Sequence, residues 1–278
     1  MIQRDFPGYP DPVDISIDSW ASGSITVSGE PTDTVTVMVE RSHRRGADDR
    51  IDDVEIAFED GQLYIRGPRG LSFRPRNGLD LTIKVPAGSS CAAKTASADI
   101  SCVGVMSALS LNTASGDLTA ASVTGDVTVR SASGDVLLDR VDGDFTMHTA
   151  SGDTRVRQVG GTVRINSASG DVAVGRCSGS VTARTASGDV RLDAVASGLV
   201  ELNSATGDIQ VAVMPGLGVY LELSSLSGSV RSHLDEVDSP DGDTDAAVEI
   251  RVRTMSGNIR ITKAQSEPTS LEPVNSGQ

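Results

Sequence analysis

The feature that most constrains this chain is a period. "TASGD" at residues 113 to 117 returns as "SASGD" at 131, "TASGD" at 149, "SASGD" at 167 and "TASGD" at 185, at intervals of 18 residues. A fixed short period describes a stack of like units, each burying its apolar side against its neighbours. The units run "TASGDLTAASVTGDVTVR" (113 to 130), "SASGDVLLDRVDGDFTMH" (131 to 148), "TASGDTRVRQVGGTVRIN" (149 to 166) and "SASGDVAVGRCSGSVTAR" (167 to 184). "TASADISCVGVMSALSLN" (95 to 112) precedes them, and the unit opening at residue 185 gains one residue before "SATGDIQVA" at 204. Later echoes, "SLSGSVRSH" at 225 and "TMSGNIRIT" at 254, are separated by a long insertion.

Each unit divides into similar halves, because "TGDVTVR" (124 to 130) and "DGDFTMH" (142 to 148) repeat the Gly-Asp-apolar sequence of the first half. Apolar or small residues alternate, as Ala132, Gly134, Val136 and Leu138 do before a parity change to Val141, Gly143, Phe145 and Met147. Period-two alternation marks strands with one buried face, and a parity change lets a chain turn a corner while keeping that face inward. Helices would need apolar residues three and four apart, and the glycines and β-branched residues oppose them. The expected fold is all-β: a single-stranded parallel β-helix, or β-solenoid, with 18-residue coils stacked at ~4.8 Å.

Stacking predicts columns of like residues. Val136, Val172 and Val190 join Ile100, Leu118 and Ile209 inside, and Leu111, Val129, Met147 and Ile165 form a second internal column. Each such burial is worth roughly 1.5 to 3 kcal/mol before entropy is charged against it. Thr154 is the main polar intruder. The alanines at 96, 114, 132, 150, 168, 186 and 205 are expected to point inward, beside glycines at 116, 134, 152, 170, 188 and 207 that imply a close approach or sharp bend.

Composition agrees with such a core: aromatics are 3% while glycine reaches 29 residues, so Val, Leu, Ile and Ala must fill the interior. A formal charge of −14 opposes nonspecific binding to nucleic acid or anionic lipid. No stretch approaches the ~20 apolar residues of a membrane span. The opening "MIQRDFPGYP" lacks the apolar run of a secretory signal, so the expected location is cytoplasmic, without membrane insertion. Cys91, Cys102 and Cys177 lack metal-ligand spacing and are expected to be buried thiols.

The ends are less regular. Residues 1–12 read as an extension, and 13–94 as irregular β-rich opening coils or a cap, from runs such as "VDISID", "SITVSG", "TVTVMVE" and "QLYIRG". The repeats occupy 95–263, with an acidic insertion at 234–247, and 264–278 has the composition of a disordered tail. Two loops interrupt the first part, at 41–53 and 66–78; the second carries Arg66, Arg69, Arg74 and Arg76 without an acid.

No catalytic or cofactor-binding set emerges. Asp99, Asp117, Asp135, Asp153, Asp171, Asp189 and Asp208 should project outward in one column, where neighbours ~4.8 Å apart repel by ~1 kcal/mol in water. Either a cation ladder or hydrogen bonds from backbone N–H groups and Ser hydroxyls could offset this. The calcium β-roll signature is absent, since Gly and Asp are adjacent, and the second column turns from Asp126 and Asp144 to Thr162 and Ser180. "DSPDGDTD" (238 to 245) lacks the correctly placed glycine and the terminal glutamate of an EF-hand loop. The serines at 97, 115, 133, 151, 169 and 187 lack a base, because His43, His148 and His233 are the only histidines and none sits in a triad context. His148, sharing its column with Asn112, Arg130, Asn166 and Arg184, reads as a surface residue. With Trp20 the only tryptophan, the aromatic platforms of carbohydrate-active β-helices are missing, and an enzyme is not expected.

A strand-rich first part ending in "LDLTIKVPAGS", followed by recurrent "TASGDV", resembles the Toastrack putative-adhesin family of bacterial β-strand-repeat proteins over about residues 13 to 263. That resemblance implies a right-handed parallel β-helix, association with membrane-stress proteins of the phage-shock and Lia type, and no catalytic residues to carry over. The function expected is a nonenzymatic scaffold or binding module in envelope-stress or regulatory assemblies. Its partner would be a protein, with homo-oligomers formed through solenoid ends or faces. The alternatives are a surface adhesin or cation-stabilised extracellular module and, behind these, a polysaccharide-active enzyme.

Overall fold

A computed structural model describes residues 1–42, 49–68, 78–234 and 247–264. Among these the chain is all-β, and the repeats form the expected parallel solenoid. One series of strands lies on one face: β8 (Leu118–Val123), β10 (Val136–Val141), β12 (Thr154–Val159), β14 (Val172–Cys177), β16 (Val190–Val195) and β18 (Ile209–Val213). The other face holds β9 (Val127–Ser133), β11 (Phe145–Ser151), β13 (Val163–Ser169), β15 (Val181–Ser187) and β17 (Gly198–Thr206). Each strand pairs in parallel with the strand two further on, so Val136 stands between Leu118 and Thr154, and Phe145 between Val127 and Val163. The register shift is one repeat, which places like residues in columns.

Both predicted apolar columns are buried. Thr154 interrupts the first at 1% exposure, and its hydroxyl donates to Met147 Sδ at 2.9 Å. The glycine column also behaves as expected. Gly116, Gly134 and Gly152 have φ of +156°, +147° and +124°, and a Cβ on Gly152 would run into the carbonyl of Gly134 one coil below. Only a residue without a side chain allows that backbone to turn in the left-handed region against its neighbour.

The alanine column does not point inward. Ala96, Ala114, Ala132, Ala150, Ala168 and Ala186 are exposed, and Ala205 is half-buried. The inward position is one residue earlier: Thr113, Thr149, Thr185 and Ser204 are buried. The inward alternation of Phe145 and Met147 runs unbroken into Thr149, the residue that opens the pentapeptide. Parity then resets across the following Ala-Ser-Gly-Asp, where the glycine turns. A hydroxyl is tolerated inside because the corner supplies an acceptor: Thr149 and Thr185 donate to the carbonyls of Ser151 and Ser187 at 2.7 and 3.0 Å. A second parity change falls where the sequence places it, at exposed Asp139 and Arg140 between buried Leu138 and Val141, and residues 142–144 form the next corner before Phe145.

The two ends share an unexpected topology. At the first, β1 (Ile2–Pro7), β3 (Thr34–Arg41) and β4 (Glu55–Glu59) pair antiparallel, β1 with β3 and β4 with β5 (Gln62–Arg66), while β3 also pairs antiparallel with β6 (Leu79–Pro86). The long β2 (Asp14–Glu30) lies parallel to β5 and β6 on one side and to β7 (Ser89–Ser115) on the other. The coil earlier in sequence is thus the inner one. Trp20 is buried here, with its indole N–H on the carbonyl of Leu79 at 3.1 Å.

At the other end β21 (Val248–Ser256) inserts between β17 and β19 (Val219–Ser227), and β22 (Ile259–Lys263) between β18 and β20 (Val230–Ser232). The last coil in sequence is again inside, and the echo at 225 to 233 lies beyond that at 254 to 262. Antiparallel strands cover the first end, whereas β19 carries only one pairing among the described residues, a free edge of the kind that invites another chain.

Candidate functional site

Two outward features follow from the stacking. The first is the aspartate column. Asp135 N–H donates to Asp117 Oδ1 at 2.8 Å, Asp153 to Asp135 at 2.8 Å, Asp171 to Asp153 at 2.9 Å and Asp189 to Asp171 at 2.9 Å. The series opens with Asp117 on Asp99 at 3.0 Å, continues with Asp208 on Asp189 at 2.7 Å, and passes to Asn258, whose N–H donates to Asp208 at 2.8 Å. Asn258 Oδ1 in turn accepts from the N–H of Ser229 at 3.1 Å. Left-handed glycines free these N–H groups at the corner, and the carboxylate one coil below takes each of them.

A shorter ladder runs on the second corner, with Asp144 N–H on Asp126 and Thr162 N–H on Asp144, both at 2.8 Å. It stops at Thr162. The hydrogen bond from Thr162 N–H, aided by Arg164, holds the Asp144 carboxyl below the usual carboxylate range. Asp208 is lowered in the same way, first by the N–H of Asn258 and then by its side-chain amide. One oxygen of each ladder carboxylate is occupied by the protein itself, and no group of three or more His, Cys, Asp or Glu among the described residues is arranged to hold a metal ion.

The second feature is an open trough of about 900 Å³ on the face of the odd-numbered strands. One wall is the column Arg130, His148, Asn166, Arg184, Asn203 and Arg253, whose members stand opposite one another in successive strands. Its floor is formed by Ala186 and Ala205 of the outward alanine column, and Met255 stands at one end. Small side chains leave the backbone accessible between rows of longer donors. Arg184 lies 3.6 Å from Glu201 and Arg253 2.7 Å from Glu222, while Arg130 makes no ion pair among the described residues. Ser204 and Thr254 also line the trough, and their buried hydroxyls lack the hydrogen bond that Thr149 and Thr185 make.

The remaining candidates are dispersed. His148 is exposed on the trough wall with Nδ1 3.4 Å from the Asn166 amide nitrogen, and His233 is exposed elsewhere. Of the arginine-rich loop, Arg66 pairs with Glu55 at 3.4 Å and lies over Tyr64, 5.1 Å from the ring centroid. Arg69, Arg74, Arg76, His43, the acidic run at 238–245 and the tail from 265 lie outside the described residues. All three cysteines are buried; burial pushes the Cys102 thiol up to about 12 and raises Cys91 and Cys177 as well.

The sequence reading named every residue of the wall between Arg130 and Arg184 as surface, but missed the trough. Placing the alanines inside removed its floor. The readable signal was the alternation of Phe145, Met147 and Thr149, which carries parity past the hydroxyl.

A search of curated proteins found no match. Among solved structures, the chain is similar to a putative adhesin from Bacteroides fragilis, at 14% identity over 94% of this chain and 96% of that one, with a TM-score of 0.43. A putative lipid binding protein from Parabacteroides distasonis aligns at 15% identity over the same shares, with a TM-score of 0.42. The Toastrack DUF4097 family model matches residues 13–262, and with the solenoid and its repeated corners now described, the chain belongs to that family.

Proposed function

We propose that the protein is a nonenzymatic scaffold or binding module that acts in the bacterial cytoplasm, within envelope-stress or regulatory assemblies, by presenting its faces to a protein partner. The observation that carries this reading is the trough: a repeated, open surface with hydrogen-bond donors in a row. Catalysis needs a nucleophile, base or acid converging on one point. Here the outward serines and aspartates of the repeats recur once per coil, which multiplies a surface instead of focusing a site. The lowered carboxyls of Asp144 and Asp208 are explained by hydrogen bonds within the corners, and that of Glu222 by its ion pair with Arg253. A charge of −14 favours partners other than nucleic acid.

Affinity capture from native bacterial cells, with the intact chain as bait, tests the proposal. Enrichment of a cytoplasmic or membrane-associated protein assembly is the expected result. Recovery of the chain outside the cell, with extracellular glycans as its only ligands, would replace this reading by that of an adhesin.

A further inference from the structure

The trough has a basic lining. Its two outward columns, two residues apart along each strand, hold Arg130, Arg164, Arg184, Arg251 and Arg253; Arg164 pairs with Asp144 at 3.2 Å, Arg184 with Glu201 at 3.6 Å, Arg251 with Glu249 at 2.6 Å and Arg253 with Glu222 at 2.7 Å. On the even-numbered face three arginines have an acid close by: Arg140 donates to Asp142 at 2.7 Å, Arg157 to Asp139 at 2.6 Å and Arg155 to Asp153 at 3.2 Å. The residues that line the trough include three arginines and no carboxylate, and Arg130 makes no ion pair among the described residues.

Length and spacing narrow the ligand. Five coil steps separate Arg130 from Arg253, or ~24 Å at ~4.8 Å per step. That is too long and open for a small metabolite. Three steps separate Arg130 from Arg184, ~14 Å, close to the span of four residues of extended peptide at ~3.3 Å each. The alanine floor lets a main chain lie close to the sheet while Asn166 and Asn203 offer amides between the arginines. Among the described residues no Phe, Tyr or Trp lines the trough, and so none offers the stacking platform on which sugar recognition commonly depends. We infer that this trough docks an extended acidic segment of a partner protein, its carboxylates meeting Arg130, Arg184 and Arg253. The inference rests on the binding-module reading and gives its ligand a chemical class.

The test uses the full chain and a fluorescent oligo-L-glutamate of about eight residues, enough to span the trough at ~3.3 Å per residue. Binding is expected at low salt and should weaken as salt screens the charges. The triple variant Arg130→Gln, Arg184→Gln, Arg253→Gln should bind at least about tenfold more weakly, a loss of ~1.4 kcal/mol. Ala186→Glu, which sets a competing carboxylate on the exposed floor, should weaken binding without removing an arginine. Arg140→Gln, Arg155→Gln, Arg157→Gln on the opposite face should bind like the original chain. Equal losses in both triple variants, or binding of polygalacturonate but not oligoglutamate, would overturn the inference. If the trough variant captures the same cellular partners as the original chain, the trough assignment fails while the binding-module reading stands. If the original chain captures no protein at all, the reading itself fails.

Discussion

The main-chain N–H of Asp153 lies 2.8 Å from Oδ1 of Asp135, one coil below. The repulsion between stacked carboxylates is thereby offset inside the protein, because each carboxylate accepts a charge-assisted hydrogen bond from a corner N–H that has left the strand ladder. The acceptor needs an oxygen at that place, not a charge, as Asn258 shows by accepting from Ser229 at 3.1 Å. Asp153→Asn should therefore leave the melting temperature within a degree or two, while Asp153→Ala should cost ~1 kcal/mol, a few degrees at most. Adding calcium should move neither melting curve. A calcium-dependent rise that Asp153→Asn abolishes would instead identify a cation ladder.

Gly152 illustrates how the corner limits its own sequence. Its φ is +124° and a Cβ would meet the carbonyl of Gly134, so Gly152→Ala combines backbone strain with a collision between coils. A loss of several kcal/mol is expected, visible as a large drop in urea midpoint. Gly216 also has a left-handed φ, +84°, but nothing lies within 4 Å of its would-be Cβ. Gly216→Asn should cost far less, since asparagine tolerates that conformation.

The solenoid was legible because a period of 18 multiplies a weak signal: one Val-x-Leu says little, but Val136, Val172 and Val190 at constant spacing fix register as well as face. The alanine column was misread because alanine is ambivalent. It costs little either buried or exposed, whereas Thr149 inside looks forbidden until the Ser151 carbonyl that takes its hydroxyl is known. The inverted order of the end coils was illegible for another reason. Residues 219–227 and 248–256 carry nearly the same apolar alternation, so either could stack on β17, and the pattern alone does not choose. The trough depended on the alanine parity and fell with it.

Acid should weaken the fold through the ladder ends. Asp144 and Asp208 have folded pKa values lowered by N–H donors from Thr162 and Asn258, while in the unfolded chain both return to about 3.9. A lowered folded pKa means that the stabilisation is present in full above the unfolded value and is lost as pH falls through the folded one. Urea midpoints should hold from pH 7 to 5 and decline below about pH 4. In Asp144→Asn, Asp208→Asn the acceptor oxygens remain but the titration is gone, so the decline should be shallower. An unchanged slope would show that other carboxyls govern it.

Thr154 is the one place where the core column departs from its own rule. Its neighbours in register are Val136 and Val172, and its hydroxyl has only the weak acceptor Met147 Sδ at 2.9 Å. Burying a hydroxyl without a strong partner costs about 1 to 3 kcal/mol, and valine has the same branched shape. Thr154→Val should stabilise the protein by ~1 kcal/mol, read as a higher urea midpoint with unchanged m-value. Val172→Thr, which places a second hydroxyl in the column without a sulfur opposite in that coil, where Ile165 stands in register with Met147, should destabilise by a similar or larger amount. Should Thr154→Val instead lower the midpoint, the contact with Met147 would be contributing more than a buried hydroxyl costs, and the column would have two rules rather than one.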